Sequence, residues 1–192
     1  MPRDPEETKR RIFDAARAEF AEHGIAGARI DRIAASAKAN KQLIYAYFGN
    51  KRVLFEIVAS HNVARFVDEV AFDPSDLPGY AAGMFDFYAA HPEVAKIGAW
   101  HSLEPGEEEH RVAAIEKVIR QRTRAIARAQ AGGLVDPRLP AAELLALINA
   151  IAGGWAVATP ERRPSLGRGA RSIQRRRAAV IEAVNRIAAV PA

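Results

Sequence analysis

The tightest constraint on this chain is how little room separates the helical runs between Asp4 and Phe48. Asp4-Pro5-Glu6-Glu7 is a helix start: Asp4 can cap, Pro5 suits the first helical position, and acids in the first turn oppose the macrodipole. Ile12, Ala16 and Phe20 then recur on one helical face, and Gly24, just after His23, marks its end. Ile30, Ile33, Ala34 and Ala37 form a second helical face. Asn40 suits the cap of a third helix carrying Leu43, Ile44 and Tyr47, so the second and third helices are joined by no more than Lys38-Ala39-Asn40. Two short helices joined so tightly are the helix-turn-helix pattern, whose second helix enters the major groove of DNA.

The rest of the chain also reads as helix. Gly49-Asn50 breaks the chain, and a fourth helix runs through Leu54, Phe55, Val58, Phe66 and Val70 to Asp73-Pro74. Further runs are expected from Ser75 or Asp76 to His91, Pro92 to Leu103, Glu107 to Ala131, Ala141 to Thr159 and about Arg171 to Ala189. No alternating strand pattern and no fixed-period repeat is present. These signals predict an all-α fold of about nine helices. They place a helix-turn-helix domain at 1–50 and a second helical domain at 51–192.

Composition narrows the function classes. Apolar residues make up 49% of the chain, enough for a core. The absence of Cys excludes disulfides and thiolate zinc sites. MPRDPEETKRR lacks the apolar run of a signal peptide, and no stretch approaches the ~20 apolar residues of a membrane span. A cytoplasmic, nucleoid-associated location without membrane contact is therefore expected. The net charge is +5, and the window from Arg29 to Arg52 alone holds six basic residues (Arg29, Arg32, Lys38, Lys41, Lys51, Arg52) against Asp31. Such a local excess attracts a polyanion. Asn40, Lys41, Gln42 and Leu43 stand at the leading edge of the third helix. Gln42 can bond adenine in a bidentate manner, Lys41 can reach guanine or a phosphate, and Leu43 can touch a thymine methyl. Tyr45, Tyr47 and Lys51 can reach phosphates. Tyr47 and Lys51 are expected to be exposed, Tyr45 partly core, and Ile30, Ile33, Ala34, Ala37, Ile44 and Phe48 core.

The stretch Ile33-Ala34-Ala35-Ser36-Ala37-Lys38-Ala39-Asn40-Lys41-Gln42-Leu43-Ile44-Tyr45-Ala46-Tyr47-Phe48-Gly49-Asn50-Lys51, with Leu54 three places on, resembles the DNA-binding signature of the TetR family of bacterial repressors. The resemblance implies DNA-contact roles at Arg29, Lys38, Asn40, Lys41, Gln42, Leu43, Tyr45, Tyr47 and Lys51. It further implies that 51–192 is a ligand-binding and dimerisation domain, and that the protein is a dimer that binds a double-stranded palindromic operator and is released by an unidentified small effector. Three positions depart from the family pattern. Lys38-Ala39 replaces a frequent Gly-Val, so an unchanged turn would force Lys38 into a left-handed backbone. Ala28-Arg29 replaces a hydroxyl cap, with Arg29 a substitute contact to the DNA backbone. Gln42 replaces a frequent glycine, which alters base preference.

The nearly apolar run from Ala141 to Thr159 carries Ala146, Ala150, Gly153 and Gly154, which permit close helix approach. With the helix near 171–189 it is the expected homodimer surface. Phe85, Tyr88, Trp100, His101, Glu104 and Trp155 are the candidate ligand-pocket residues, an aromatic set with a few polar groups. The arginines from Arg162 to Arg177 read as a loop and a solvated helix start. No cofactor, metal or catalytic residue is expected. Two rival classes remain: a metal-dependent enzyme using His101, Glu104, Glu107, Glu108, Glu109 and His110, and a helical adaptor that does not bind DNA.

Overall fold

The computed structural model describes residues 4–103, 111–158, 161, 167 and 169–190. Among them lie nine helices and no strand. They are α1 (Pro5–Gly27), α2 (Ile30–Ala37), α3 (Lys41–Phe48), α4 (Lys51–Glu69), α5 (Leu77–Ala90), α6 (Pro92–Leu103), α7 (Ala113–Ala131), α8 (Ala141–Gly153) and α9 (Ala170–Ala188). The chain forms two compact units, residues 1–64 with 93–113 and residues 65–92 with 114–192. Packing thus gathers the first part of α4, and α6 from Glu93, with the N-terminal helices, whereas a split at residue 50 assigns them to the second part.

In the first unit, Asp4 caps α1 by accepting from the Glu6 amide at 3.0 Å. Ile12, Ala16 and Phe20 are fully buried. The Phe20 ring meets Phe55 of α4 edge-on, with centroids 5.3 Å apart. Ile33, Ala34 and Ala37 of α2, Ile44 of α3, and Leu54 and Val58 of α4 are also buried. Removing each such large side chain from water contributes about 1.5–3 kcal/mol. Ile30 and Phe48 are only half-buried. They are the first residue of α2 and the last of α3, where a helix end has fewer neighbours.

Gly24 interrupts α1 with φ 65 and ψ 179, and one more turn follows to Gly27 before the Ala28 amide closes on the Gly24 carbonyl at 3.1 Å. Only glycine readily adopts that backbone. A second reason is contact: a Cβ at Gly24 would stand 3.1 Å from Cδ2 of Trp100 on α6.

In the second unit, α5 packs against α8 and α9, which also touch each other. Met84 and Phe85 of α5, Leu144, Leu145 and Ile148 of α8, and Val180 and Val184 of α9 are buried there, with Ile126 of α7. The Asp76 carboxylate starts α5 by accepting from the Gly79 amide at 2.8 Å. Two expected boundaries change. The helix expected from Glu107 begins at Ala113, because Arg111 and Val112 are non-helical and Val112 buries its side chain; residues 104–110 lie outside the described residues. The helix expected to reach Thr159 stops at Gly153, where the Ala156 amide bonds the Gly153 carbonyl at 3.0 Å and tightens the chain into a turn. Two successive glycines each weaken a helix by about 1 kcal/mol relative to alanine, which outweighs the apolar run. Nor is α8 buried all round: Ala142, Ala146, Leu147 and Ala150 are exposed.

Gly24→Ala is expected to lower stability by about 1–3 kcal/mol, from the forbidden backbone and the crowding of Trp100. Chemical denaturation measures this, and an unchanged midpoint would contradict both reasons.

Candidate functional site

The start of α2 has no capping side chain of its own, since Arg29 at the cap position makes none. The need is met from α1. Glu19 Oε1 accepts from the Arg29 amide at 2.8 Å and from Arg32 Nε at 2.8 Å, while Arg32 Nη2 donates to the Gly27 carbonyl at 2.8 Å. The Glu19 side chain is only 9% exposed. Burial pushes its carboxyl up, but the bonds from Arg32 and the Arg29 amide outweigh this and hold it below the usual carboxylate range. Sequence reasoning missed Glu19. The only signal was indirect: a helix start without a hydroxyl at Ala28 needs an acceptor from elsewhere.

The turn follows the expectation from the family pattern. Lys38 has φ 51 and ψ 42, and it is the only non-glycine residue with positive φ among the described residues. Its amide and that of Ala39 close α2 on the carbonyls of Ala35 and Ala34 at 3.2 and 3.0 Å. The side chain is exposed and has no acidic partner among the described residues. Asn40 then caps α3, its Oδ1 accepting from the Leu43 amide at 2.8 Å. That leaves its amide nitrogen for other partners.

On α3, Ile44 turns inward and is 2% exposed, while Lys41, Gln42 and Tyr45 are exposed and Leu43 is half-buried. The two tyrosines exchange their expected environments. Tyr45 is 50% exposed, whereas Tyr47 is half-buried, with the Lys9 ammonium 5.4 Å from its ring centroid. Helical phase explains this: a residue three places after Ile44 lies nearer its face than one a single place after it.

The basic window is largely committed. Arg32 bonds Glu19, Lys41 pairs with Asp31, and Arg52 bonds Glu56 at 2.8 Å. Lys51 is half-buried rather than exposed, and its ammonium donates to the carbonyls of Ala28 at 3.1 Å and Ala26 at 3.4 Å. It closes the end of α1, with one N–H left over. Arg29 and Lys38, at the two ends of α2, carry side chains with no ion-pair partner among the described residues.

The candidate pocket residues divide between the units. Phe85 is buried, Tyr88 is half-buried against Phe66 with ring centroids 6.0 Å apart, and Trp155 is half-buried past the end of α8; all belong to the second unit. Trp100 packs on Gly24 and His101 lies 5.7 Å from the Phe55 ring, both in the first unit. Glu104 lies outside the described residues, as do Glu107, Glu108, Glu109 and His110 of the metal reading and Arg162, Arg163 and Arg168 of the arginine run. Arg177 bonds Asp86 at 2.8 Å. Among the described residues no three metal-binding side chains converge, and no helix is long and apolar enough to cross a membrane.

A second residue escaped the sequence reading. Arg122 on α7 is 8% exposed, and its Nη1 donates to the Tyr80 hydroxyl at 2.7 Å. Its signal was position: it stands four residues after Val118 and four before Ile126, on the inward stripe of α7.

A short helix, set by a tight turn on a small helical core, capped by Asn40 and exposing Lys41, Gln42 and Tyr45, is a DNA-reading helix-turn-helix. The chain belongs to the TetR family. Residues 12–58 match the family model for bacterial regulatory proteins of the tetR family, and residues 76–186 match the tetracyclin repressor-like C-terminal domain. The chain is 47% identical over 161 residues, 83% of each chain, to the HTH-type transcriptional repressor SCO4008 of Streptomyces coelicolor. It is 37% identical over 106 residues to the HTH-type transcriptional repressor NicS of Pseudomonas putida, covering 52% of this chain and 50% of NicS. Among solved structures, SCO4942 of Streptomyces coelicolor matches with a TM-score of 0.81 and 39% identity, over 96% of this chain and 99% of that one. The protein is thus a TetR-family transcriptional regulator with an N-terminal DNA-binding domain.

Replacing Lys38 by glycine separates fold from function. Lys38→Gly is expected to stabilise the protein by about 1 kcal/mol in thermal denaturation, because the left-handed strain disappears. DNA affinity is expected to fall, and the slope of log affinity against log salt to shrink by about 0.9, one phosphate contact. An unchanged slope would remove Lys38 from the interface.

Proposed function

We propose that this chain is a repressor that binds a palindromic operator as a homodimer and is released by a small effector. The observation that carries the DNA reading is the arrangement of α3: Ile44 is held in the core while Lys41, Gln42 and Tyr45 face outward directly after the turn. In this reading Gln42 bonds adenine, Lys41 reaches guanine or a phosphate, and Leu43 meets a thymine methyl. Arg29, Lys38, Tyr45, Tyr47 and Lys51 hold phosphates, with Asn40 mainly a cap and secondarily a contact. Residues 1–50 act as the reader and 51–192 as the sensing and dimerising part, working in the cytoplasm.

The dimer reading is supported by the exposed apolar side of α8, with Leu147 42% exposed beside Ala146 and Ala150, and by Ile173 of α9 at 40%. An unpartnered apolar strip of this kind suits a second copy of the same helices, packed in isologous fashion. Two readers on a dimer meet half-sites about one helical turn, or a multiple of it, apart. An effector that favours a different reader spacing weakens DNA binding, and by linkage DNA weakens effector binding equally. α4 begins in the first unit and ends in the second, which suits it as the lever.

The DNA flanking the protein's own coding region is the first duplex to test. Gln42→Ala is expected to weaken binding to the operator about tenfold or more, since one bidentate base contact contributes about 1–3 kcal/mol, and to leave non-specific binding unchanged. Equal operator affinity in a gel shift would defeat the base-reading role. Leu147→Glu is expected to shift the protein to monomer in analytical ultracentrifugation; a dimer of undiminished strength would place the interface elsewhere.

A further inference from the structure

We infer that the second unit holds a receptor site for a small organic anion with an apolar body, centred on the guanidinium of Arg122. The inference rests on the effector reading above for its link to DNA release, but not for binding itself. A guanidinium set among apolar groups is ordinarily matched by a carboxylate, because a poorly hydrated charge without a counterion is unfavourable. Among the described residues Arg122 has no such match. Its one hydrogen bond runs from Nη1 to the Tyr80 hydroxyl at 2.7 Å, and no carboxylate of the described residues lies within ion-pair distance. Four acids of this unit are engaged with other cations: Asp86 with Arg177, Glu69 with Arg65 and His91, Asp136 with Arg138, Glu182 with Arg186.

What surrounds Arg122 is aromatic. Its guanidinium carbon lies 4.8 Å from the ring centroid of Phe66, 5.3 Å from that of Phe72 and 4.8 Å from that of Tyr80. Ring faces hold a cation in place without neutralising it. The tyrosines do not supply the missing charge either. Burial pushes the Tyr80 phenol up to about 12, against the pull of Arg122, and raises Tyr88 as well, so both are neutral at ordinary pH. A guanidinium has five N–H donors in a planar fork, and one is spent here. The remaining edge suits a carboxylate, which accepts two parallel bonds. Tyr88, half-buried and stacked on Phe66, extends the apolar surface on which the body of such a ligand can rest. A cationic ligand is disfavoured, because Arg122 already occupies the space among these rings.

Three matched pairs test this on the full chain: benzoate against benzamide, 2-naphthoate against 2-naphthamide, octanoate against octanamide. In calorimetry at physiological ionic strength and neutral pH, at least one carboxylate is expected to bind about tenfold or more tightly than its amide, the scale of one charge-assisted contact. Arg122→Met is expected to abolish that preference, and Arg122→Lys to retain part of it, with circular dichroism confirming the fold. Should the Met variant not fold, the carboxylate-to-amide ratio of the wild type and of Arg122→Lys decides. Equal binding of acid and amide in all three pairs, or a preference that survives in Arg122→Met, overturns the proposal. Readout of operator binding in the same samples separates the two claims. Carboxylate-selective binding without DNA release upholds the anion site and removes its regulatory role. DNA release by an amide or by tetraphenylphosphonium, with no carboxylate preference, upholds an effector and overturns this site.

Discussion

α3 is too short to stand alone. It has eight residues, and isolated helices below about 12–15 residues are marginal in water. Packing gives it only one deeply buried side chain, Ile44. Its position must therefore be set at its ends, by the Asn40 cap on the Leu43 amide and by the Gly49 amide on the Tyr45 carbonyl at 2.9 Å. The first end inherits its place from the Lys38 turn, the turn from α2, and α2 from Glu19, which ties the Arg29 amide and the Arg32 side chain to α1. A single partly buried carboxylate thus stands at the base of the chain of contacts that aims the reading helix. Side chains reserved for DNA cannot also fill a core, so the frame around them carries the stability.

This hierarchy explains what the sequence could reveal. Caps, glycine breaks and apolar spacing act within a few residues, so the helices of the reader, the strained Lys38 and the lost cap at Ala28 were all legible. What decides the remainder acts across distance along the chain. Glu19 meets residues ten and thirteen positions on, Lys51 reaches back to Ala26 and Ala28, and Gly24 answers to Trp100. None of these pairs shares a local pattern. The exchanged environments of Tyr45 and Tyr47 are a different failure, because there the helical phase from Ile44 was available. At α8 an apolar run outweighed two glycines in the reading, though the backbone obeys the glycines.

The basic window also reads differently once its partners are known. Charge counting treats all six cations alike, but Arg32 and Arg52 serve the fold, and Lys51 commits two of its three donors to carbonyls. Lys41 lies between the two uses. Its pair with Asp31 is solvent-exposed, and exposed pairs contribute only about 0–1 kcal/mol. Trading that pair for a phosphate or a guanine costs little, and the freed Asp31 adds repulsion against a misplaced phosphate. Of the six, only Arg29 and Lys38 carry side chains with neither an ion-pair nor a hydrogen-bond partner among the described residues.

Arg32 and Arg122 show the same side chain in opposite circumstances. Arg32 lies near the surface and finds both a carboxylate and a carbonyl within the chain, so its charge is balanced. Arg122 is more deeply buried, yet it has one phenol and three ring faces. A hydrophobic residue of similar volume at that position would pack among the same rings without any desolvation penalty, and such replacements are often neutral or stabilising. Structural need alone therefore does not account for a buried arginine there. Its unbalanced charge is intelligible if a partner from outside the chain completes it, and a partner that binds only the folded chain stabilises the fold by mass action.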